Sequence, residues 1–283
     1  MGDLMEDTSL DGADGSYRTT LSPDWEIWGP NGGYLTAVAL RAAGAHTRLP
    51  RPASVLCHFL GVAVFGPVEL EVETLRASRR AESMRVSMTQ GGQRILESLV
   101  WAVDDGLEGL SHEMATAPEL PGPEGLPSID QAQPGEVPGP RFSFFDNLEA
   151  RPIEWIADHD HRPAGDPVHR CWYRFRPVAS FADRWVDAGR LAIAVDTFQW
   201  PAASRGYAGG SLGHIAPSLD LACRFHRMEQ GARADWLLVE ARSPVAAEGL
   251  VGGIASVWDE QGRLLASGGQ QMLCRPAPVA IPT

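Results

Sequence analysis

The chain has 283 residues, 44% of them apolar and 21% charged, the balance of a globular protein able to bury a sizeable core in one large or two ordinary domains. Its formal net charge is -12 and all 24 basic residues are arginine, which argues against a nucleic-acid or anionic-membrane partner but leaves room for arginines around one phosphate-bearing ligand. Cys57, Cys171, Cys223 and Cys274 form no CxxC pair, so the expectation is reduced core thiols in a cytoplasmic protein, with neither a metal site nor a disulfide framework.

The first fifteen residues are acidic, lack the apolar run of a signal peptide and read as a disordered start; no later run is long enough to span a bilayer. Tyr17–Trp28 alternates loosely like a strand, and Gly29–His46 reads as a turn followed by a small-residue helix. Strand character follows over Ser54–Phe65, Val68–Ala77, Glu82–Gln90 and Arg94–Val103, separated by Gly-Pro, Arg-rich and Gly-Gly breaks. One helix and then antiparallel strands is an α+β pattern. The Pro-rich stretch Ala117–Pro140 reads as a semi-rigid, exposed linker, and Phe142–Asp166 as a segment packing back on one half. The first order then returns: a strand over His169–Val178, a helix over Phe181–Ala203, and strands near Ile215–His226, Trp236–Ser243, Gly249–Trp258 and Arg263–Cys274. The expected division is residues 16–112, a linker and surface segment over 113–166, and residues 167–276.

The two halves can be laid over one another. LCHF at 56–59 matches ACRF at 222–225, which carries Cys57 to Cys223 at an offset of 166; GQRILESLVW at 92–101 matches QGRLLASGGQ at 261–270, which carries Trp101 to Gln270 at an offset of 169. An offset that changes so little across a motif indicates a duplicated unit, a helix wrapped by an antiparallel sheet. Within the second helix, apolar nearly all round, lies Asp196. A carboxylate in such surroundings either bonds to nearby backbone or to Arg190, or it is a general base whose pKa burial has raised. Aligning Gly33 with Gly189 sets Leu40 opposite Asp196, and the strand alignments set Pro52 opposite Ser218 and Trp101 opposite Gln270. The polar set of the second half is thus apolar in the first, which points to one active site per chain.

The doubled unit resembles the hotdog fold, and the tandem is similar to the double-hotdog acyl-CoA thioesterases of the TesB type. The stretches that carry the resemblance are PNGGYLTAVAL at 30–40, VELEVETLR at 68–76, AVDTFQWPA at 194–202, PSLDLACRFHR at 217–227 and GRLLASGGQQMLCR at 262–275. It implies a double hotdog of two tandem repeats, each a long central helix in a curled antiparallel sheet. It also implies hydrolysis of acyl-CoA to free acid and CoA, with Asp196, Ser218 and Gln270 holding and activating a water; the family more often has Thr where Ser218 stands.

Beside the resemblance, backbone N–H groups near Asn31, Gly32 and Gly33 could polarise the thioester carbonyl through a helix dipole, and Arg79, Arg80 and Arg205 could meet the phosphates of coenzyme A. No metal or cofactor is called for, and no GxSxG, HExxH, P-loop or Rossmann pattern occurs. His58, His214 and His226 read as structural, and Gly209-Gly210 and Gly252-Gly253 as sheet bends. Two alternatives stand beside hydrolysis: a non-catalytic acyl-CoA binder or sensor, and an enoyl-CoA hydratase, for which Asp220 and His226 lie too far apart along a strand. A homo-oligomer through sheet pairing is open.

Overall fold

The computed structural model describes residues 1–132, 136, 142–209, 212–228 and 234–277. The first half contains α1 (Leu4–Asp7), β1 (Asp11–Ala13), β2 (Ser16–Leu21), α2 (Gly32–His46), β3 (Arg51–Phe59), β4 (Gly66–Ala77), β5 (Ala81–Gln90) and β6 (Gln93–Val103). The second contains β7 (Leu148–Pro152), β8 (Val168–Phe175), α3 (Arg184–Thr197), α4 (Gln199–Arg205), β9 (His214–Ile215), β10 (Asp220–Phe225), β11 (Leu237–Ala247), β12 (Leu250–Trp258), β13 (Leu264–Leu273) and β14 (Arg275–Pro276).

Twelve strands form one antiparallel sheet in the order β1-β2-β4-β5-β6-β3-β10-β13-β12-β11-β8-β7. The central junction pairs β3 with β10, Cys57 opposite Leu221 and Val55 opposite Cys223. From that junction outward the two halves repeat the same strand order, with α2 and α3 packed antiparallel inside the curl. This is the double hotdog. Inward-facing residues alternate along the strands, as in Val68, Leu70 and Val72 or Met84, Val86 and Met88, so a period of two covers helices that are buried almost all round.

The helices approach closely because small residues face each other. A Cβ on Gly189 would stand 2.8 Å from the Cβ of Ala37, and one on Gly33 would stand 2.6 Å from the Cα of Ile193.

Several expectations change. The start is ordered: Leu4 is buried, Asp7 accepts a bond from the Trp25 indole (2.9 Å), and Tyr34 donates to the Asp7 carbonyl (2.7 Å). The expected strand Ser54–Phe65 starts earlier and ends at Phe59, where Leu60 and Gly61 both donate to the Ile95 carbonyl. The long helix over Phe181–Ala203 is two helices that break at Phe198. Pro201 explains the break, since a continuous helix would require its missing N–H to reach Thr197, whereas in the first turn of α4 no such donor is needed.

The Pro-rich stretch is not simply exposed. Its residues 133–135 and 137–140 lie outside the described residues, but Pro123 is buried, Trp172 donates to the Pro121 carbonyl (2.9 Å), and Ala117, Leu120 and Leu126 cover Trp172, Trp236 and Trp258 on the outer face of the second half. Phe142–Asp166 ties the halves together, because Phe144 is buried edge-on to Trp25 while Leu148–Pro152 adds β7 to the far edge. Gly209 lies after α4, outside any strand, where its N–H meets the Arg162 carbonyl, and Gly210 is not among the described residues. The four cysteines are free thiols, and among the described residues no group of His, Cys, Asp and Glu is arranged to hold a metal ion. No helix among them is long and apolar enough to cross a membrane.

Candidate active site

Asn31 starts the site. Its side-chain oxygen caps α2 by accepting from Tyr34 N–H (3.0 Å), which fixes the side chain so that its amide donates across the helix pair to Asp196 Oδ2 (3.2 Å). Gly33 N–H donates to the same oxygen at 2.8 Å. The positive end of the α2 dipole therefore points at the Asp196 carboxylate. Gly32 and Gly33 permit this: a Cβ on Gly32 would lie 3.3 Å from both carboxylate oxygens.

Asp196 sits in the last turn of α3, 4% exposed. Arg190 is not its partner, for that guanidinium pairs with Asp187 and donates to the carbonyls of Ala179 and Ala234. Burial pushes the Asp196 carboxyl up to about 6, against the hydrogen bonds from Gly33 and Asn31, which pull it down. Its two oxygens differ. Oδ2 takes two donors, while Oδ1 is buried without a hydrogen-bond partner among the described residues.

Ser218, in the turn before β10, donates to Gln270 Oε1 (3.1 Å), and Gln270 Nε2 donates to the carbonyl of Asp196 itself (3.1 Å). β13 brings Gln270 inward because its neighbours Gly269 and Gln271 face the other side of the sheet. Asp196, Ser218, Gln270, Asn31, Gly32 and Gly33 thus stand together, drawn from both halves. Arg79 and Arg80 do not join them: they occupy the exposed β4–β5 turn, at the end of the sheet where Glu82 meets Thr47 beyond the C-terminus of α2. Arg205 closes α4 and pairs with Glu154 (2.7 Å). Asp220 and His226 hold separate partners, the Gln271 N–H and Ser267, at opposite ends of β10.

The internal symmetry shows what the other half has in place of this set. Gly33 lies against Asp196 as Trp185 lies against Gly44, and the caps Asn31 and Asp183 correspond, all at an offset of 152. The bridge between Ser218 and Met272 corresponds to the pair Pro52 and Ala102, which sets Val100 opposite Gln270. Two sequence alignments are corrected here. Gly44, one helical turn beyond Leu40, is the counterpart of Asp196; Val100, which is buried, and not Trp101, which is exposed on the opposite face, is the counterpart of Gln270. Matching Gly33 with Gly189 misled because both glycines admit the facing helix but at different levels of the crossing, Gly33 against Ile193 near the end of α3 and Gly189 against Ala37 in the middle of α2. Gly44, Pro52 and Val100 carry no polar side chain, and the Trp185 indole fills the space beside Gly44.

Comparison with known proteins agrees with this architecture. A family model for the acyl-CoA thioesterase N-terminal domain matches residues 21–103, and one for the acyl-CoA thioesterase C-terminal domain matches residues 115–274. Among solved structures, a conserved hot dog protein of unknown function from Alicyclobacillus acidocaldarius superposes with a TM-score of 0.82 at 22% identity, over 98% of each chain. The acyl-CoA thioesterase II TesB2 of Mycobacterium marinum gives 0.75 at 22% identity over 98% of this chain and 99% of that one. The tesB protein of Mycobacterium avium subs paratuberculosis gives 0.73 at 22% identity over 96% and 98%. With one family model on each half and the doubled fold between them, the chain belongs to the acyl-CoA thioesterase family and is a thioester hydrolase.

Proposed function

We propose that the protein hydrolyses acyl-CoA to free acid and coenzyme A by a water that Asp196, Ser218 and Gln270 hold. The observation that carries this reading is the buried Oδ1 of Asp196, a basic atom without a hydrogen-bond partner among the described residues, beside an oxygen fixed by two donors. A water placed there donates one proton to Oδ1 and the other to Ser218 Oγ, whose own proton is committed to Gln270. Its free lone pair then faces the thioester carbon. On attack the new C–O bond forms, the carbonyl becomes an oxyanion, and the water proton passes to Asp196. Gly32 N–H, which has no partner among the described residues and stands at the N-terminus of α2, is the donor for that oxyanion. Collapse expels the CoA thiolate, which recovers the proton from Asp196.

Asp196 is in no ion pair among the described residues, which favours turnover over a binder that has lost it. The test is thiol release from a panel of acyl-CoAs. The Asp196→Asn variant is expected to lose about 10²-fold or more in kcat, the scale of a positioned general base, and Gln270→Ala to be impaired as well. Full activity in Asp196→Asn removes the assignment; an inactive wild type that still binds acyl-CoA supports the sensor.

A reduced compartment such as the cytoplasm suits four free thiols. Self-association finds support in a row across the sheet centre, exposed Leu99, Leu56 and Ile254 with half-buried Ala222 and Gly269 between them, neighbours in register. Light scattering showing only monomers at micromolar concentration would remove it.

A further inference from the structure

The C-terminal turn of α3 is held by three side-chain donors. Thr197 Oγ1 donates to the Ile193 carbonyl (2.9 Å), Gln270 Nε2 to that of Asp196 (3.1 Å), and Gln199 Nε2 to that of Val195 (2.7 Å). The first two belong to Asp196's immediate surroundings. Gln199 is the first residue of α4, completely buried, and its Oε1 has no hydrogen-bond partner among the described residues. Such an acceptor costs about 1–3 kcal/mol, so its retention in the core needs a reason. Its surroundings supply one. The side chain lies flat on Gly253 of β12, where a Cβ would overlap the amide and stand 2.7 Å from Gln199 Cβ. Gly253 is the direct cross-strand partner of Gln270. Two glutamines therefore grip successive carbonyls, Gln270 of β13 that of Asp196 and Gln199, at the start of α4 and wedged against β12, that of Val195.

We infer that Gln199 is a positioning residue for the hydrolytic reaction: wedged on Gly253, its amide fixes the α3 terminus so that Asp196 Oδ1 stays aimed at the water between Ser218 and the thioester. The inference rests on Asp196 as the base. Gln199 touches neither water nor substrate. It acts through the Val195 carbonyl, whose dipole it neutralises one residue before the carboxylate.

The test is the Gln199→Met variant, which keeps the volume and removes the donor. Expected is a loss of about ten- to a hundred-fold in kcat, with KM within about two-fold, since a small misplacement of a base reaches that size. The acid limb of the kcat profile is expected to move to higher pH, because an uncovered carbonyl beside Asp196 disfavours its charge; a residue that merely fills the core would leave that limb in place. Gly253→Ala dislodges the same side chain from the sheet and is expected to give a similar loss, with the double variant no worse than Gln199→Met alone. Wild-type kcat and an unmoved acid limb in Gln199→Met, or losses that multiply in the double variant, overturn the inference. Asp196→Asn measured in parallel separates the two failures: if it is inactive while Gln199→Met is normal, only the positioning role falls, and if it is active, the base assignment falls first.

Discussion

Asp196 combines two opposed demands. The protein removes its carboxylate from water, which raises its pKa to about 6, yet supplies Gly33 and Asn31 so that the charged form remains reachable near neutrality. As a base it works only when ionised, so kcat/KM is expected to rise with pH through about 6 and to level above it. A pH–rate profile flat from 5 to 8 would contradict this. Stability runs the other way. A carboxyl whose folded pKa exceeds its unfolded value near 3.8 stabilises the fold fully below that value, and the contribution is lost as pH rises through about 6. The difference amounts to about 3 kcal/mol. Asp196→Asn is therefore expected to be inactive but more stable than wild type at pH 7–8, with the advantage fading between pH 6 and 4, as thermal melts at each pH would show.

The helix pair sets where these groups meet. Asn31 serves α2 as its cap and Asp196 as a donor, so Asn31→Ala is expected to cost about 1 kcal/mol of stability and to move the acid limb to higher pH, both from one deleted amide. An acid limb that does not move would mean Gly33 alone controls the carboxylate. Gly33→Ala pushes on backbone, since its new Cβ meets the Cα of Ile193 at 2.6 Å, which no side-chain rotation can relieve. The helices must separate, and a loss of about 1–3 kcal/mol together with reduced kcat is expected from denaturant melts and thiol release.

Across the whole molecule, one site is built from two copies of a unit. The symmetry-related position holds Trp185 against Gly44, so a non-hydrolysable acyl-CoA analogue is expected to bind with a single equivalent per chain by calorimetry. Two equivalents would show that the indole yields. The halves are also mutually dependent. β3 pairs with β10, α2 packs on α3, and Phe144 from the connecting segment enters the core beside Trp25, so residues 1–112 expressed alone are expected to aggregate through an exposed strand edge and an uncovered helix.

Much of this was legible in the residues. Alternating apolar strands, a small-residue helix in one half, a helix apolar nearly all round in the other and the recurrence of Cys57 at Cys223 specify the doubled unit, because burial on one sheet face imposes a period of two wherever it occurs. Asp196 stood out because a carboxylate among Val195, Ile193 and Phe198 costs free energy unless something answers it. Tertiary structure decided the rest. The break at Phe198, the one-turn correction from Leu40 to Gly44, the packing of the Pro-rich strap on Trp172, the remoteness of Arg79 and Arg80, and the grip of Gln199 on Gly253 all depend on distances between segments far apart in the chain. Periodicity reports which face of an element is buried, whereas which carbonyl, glycine or indole lies against that face is fixed only when the halves close on each other.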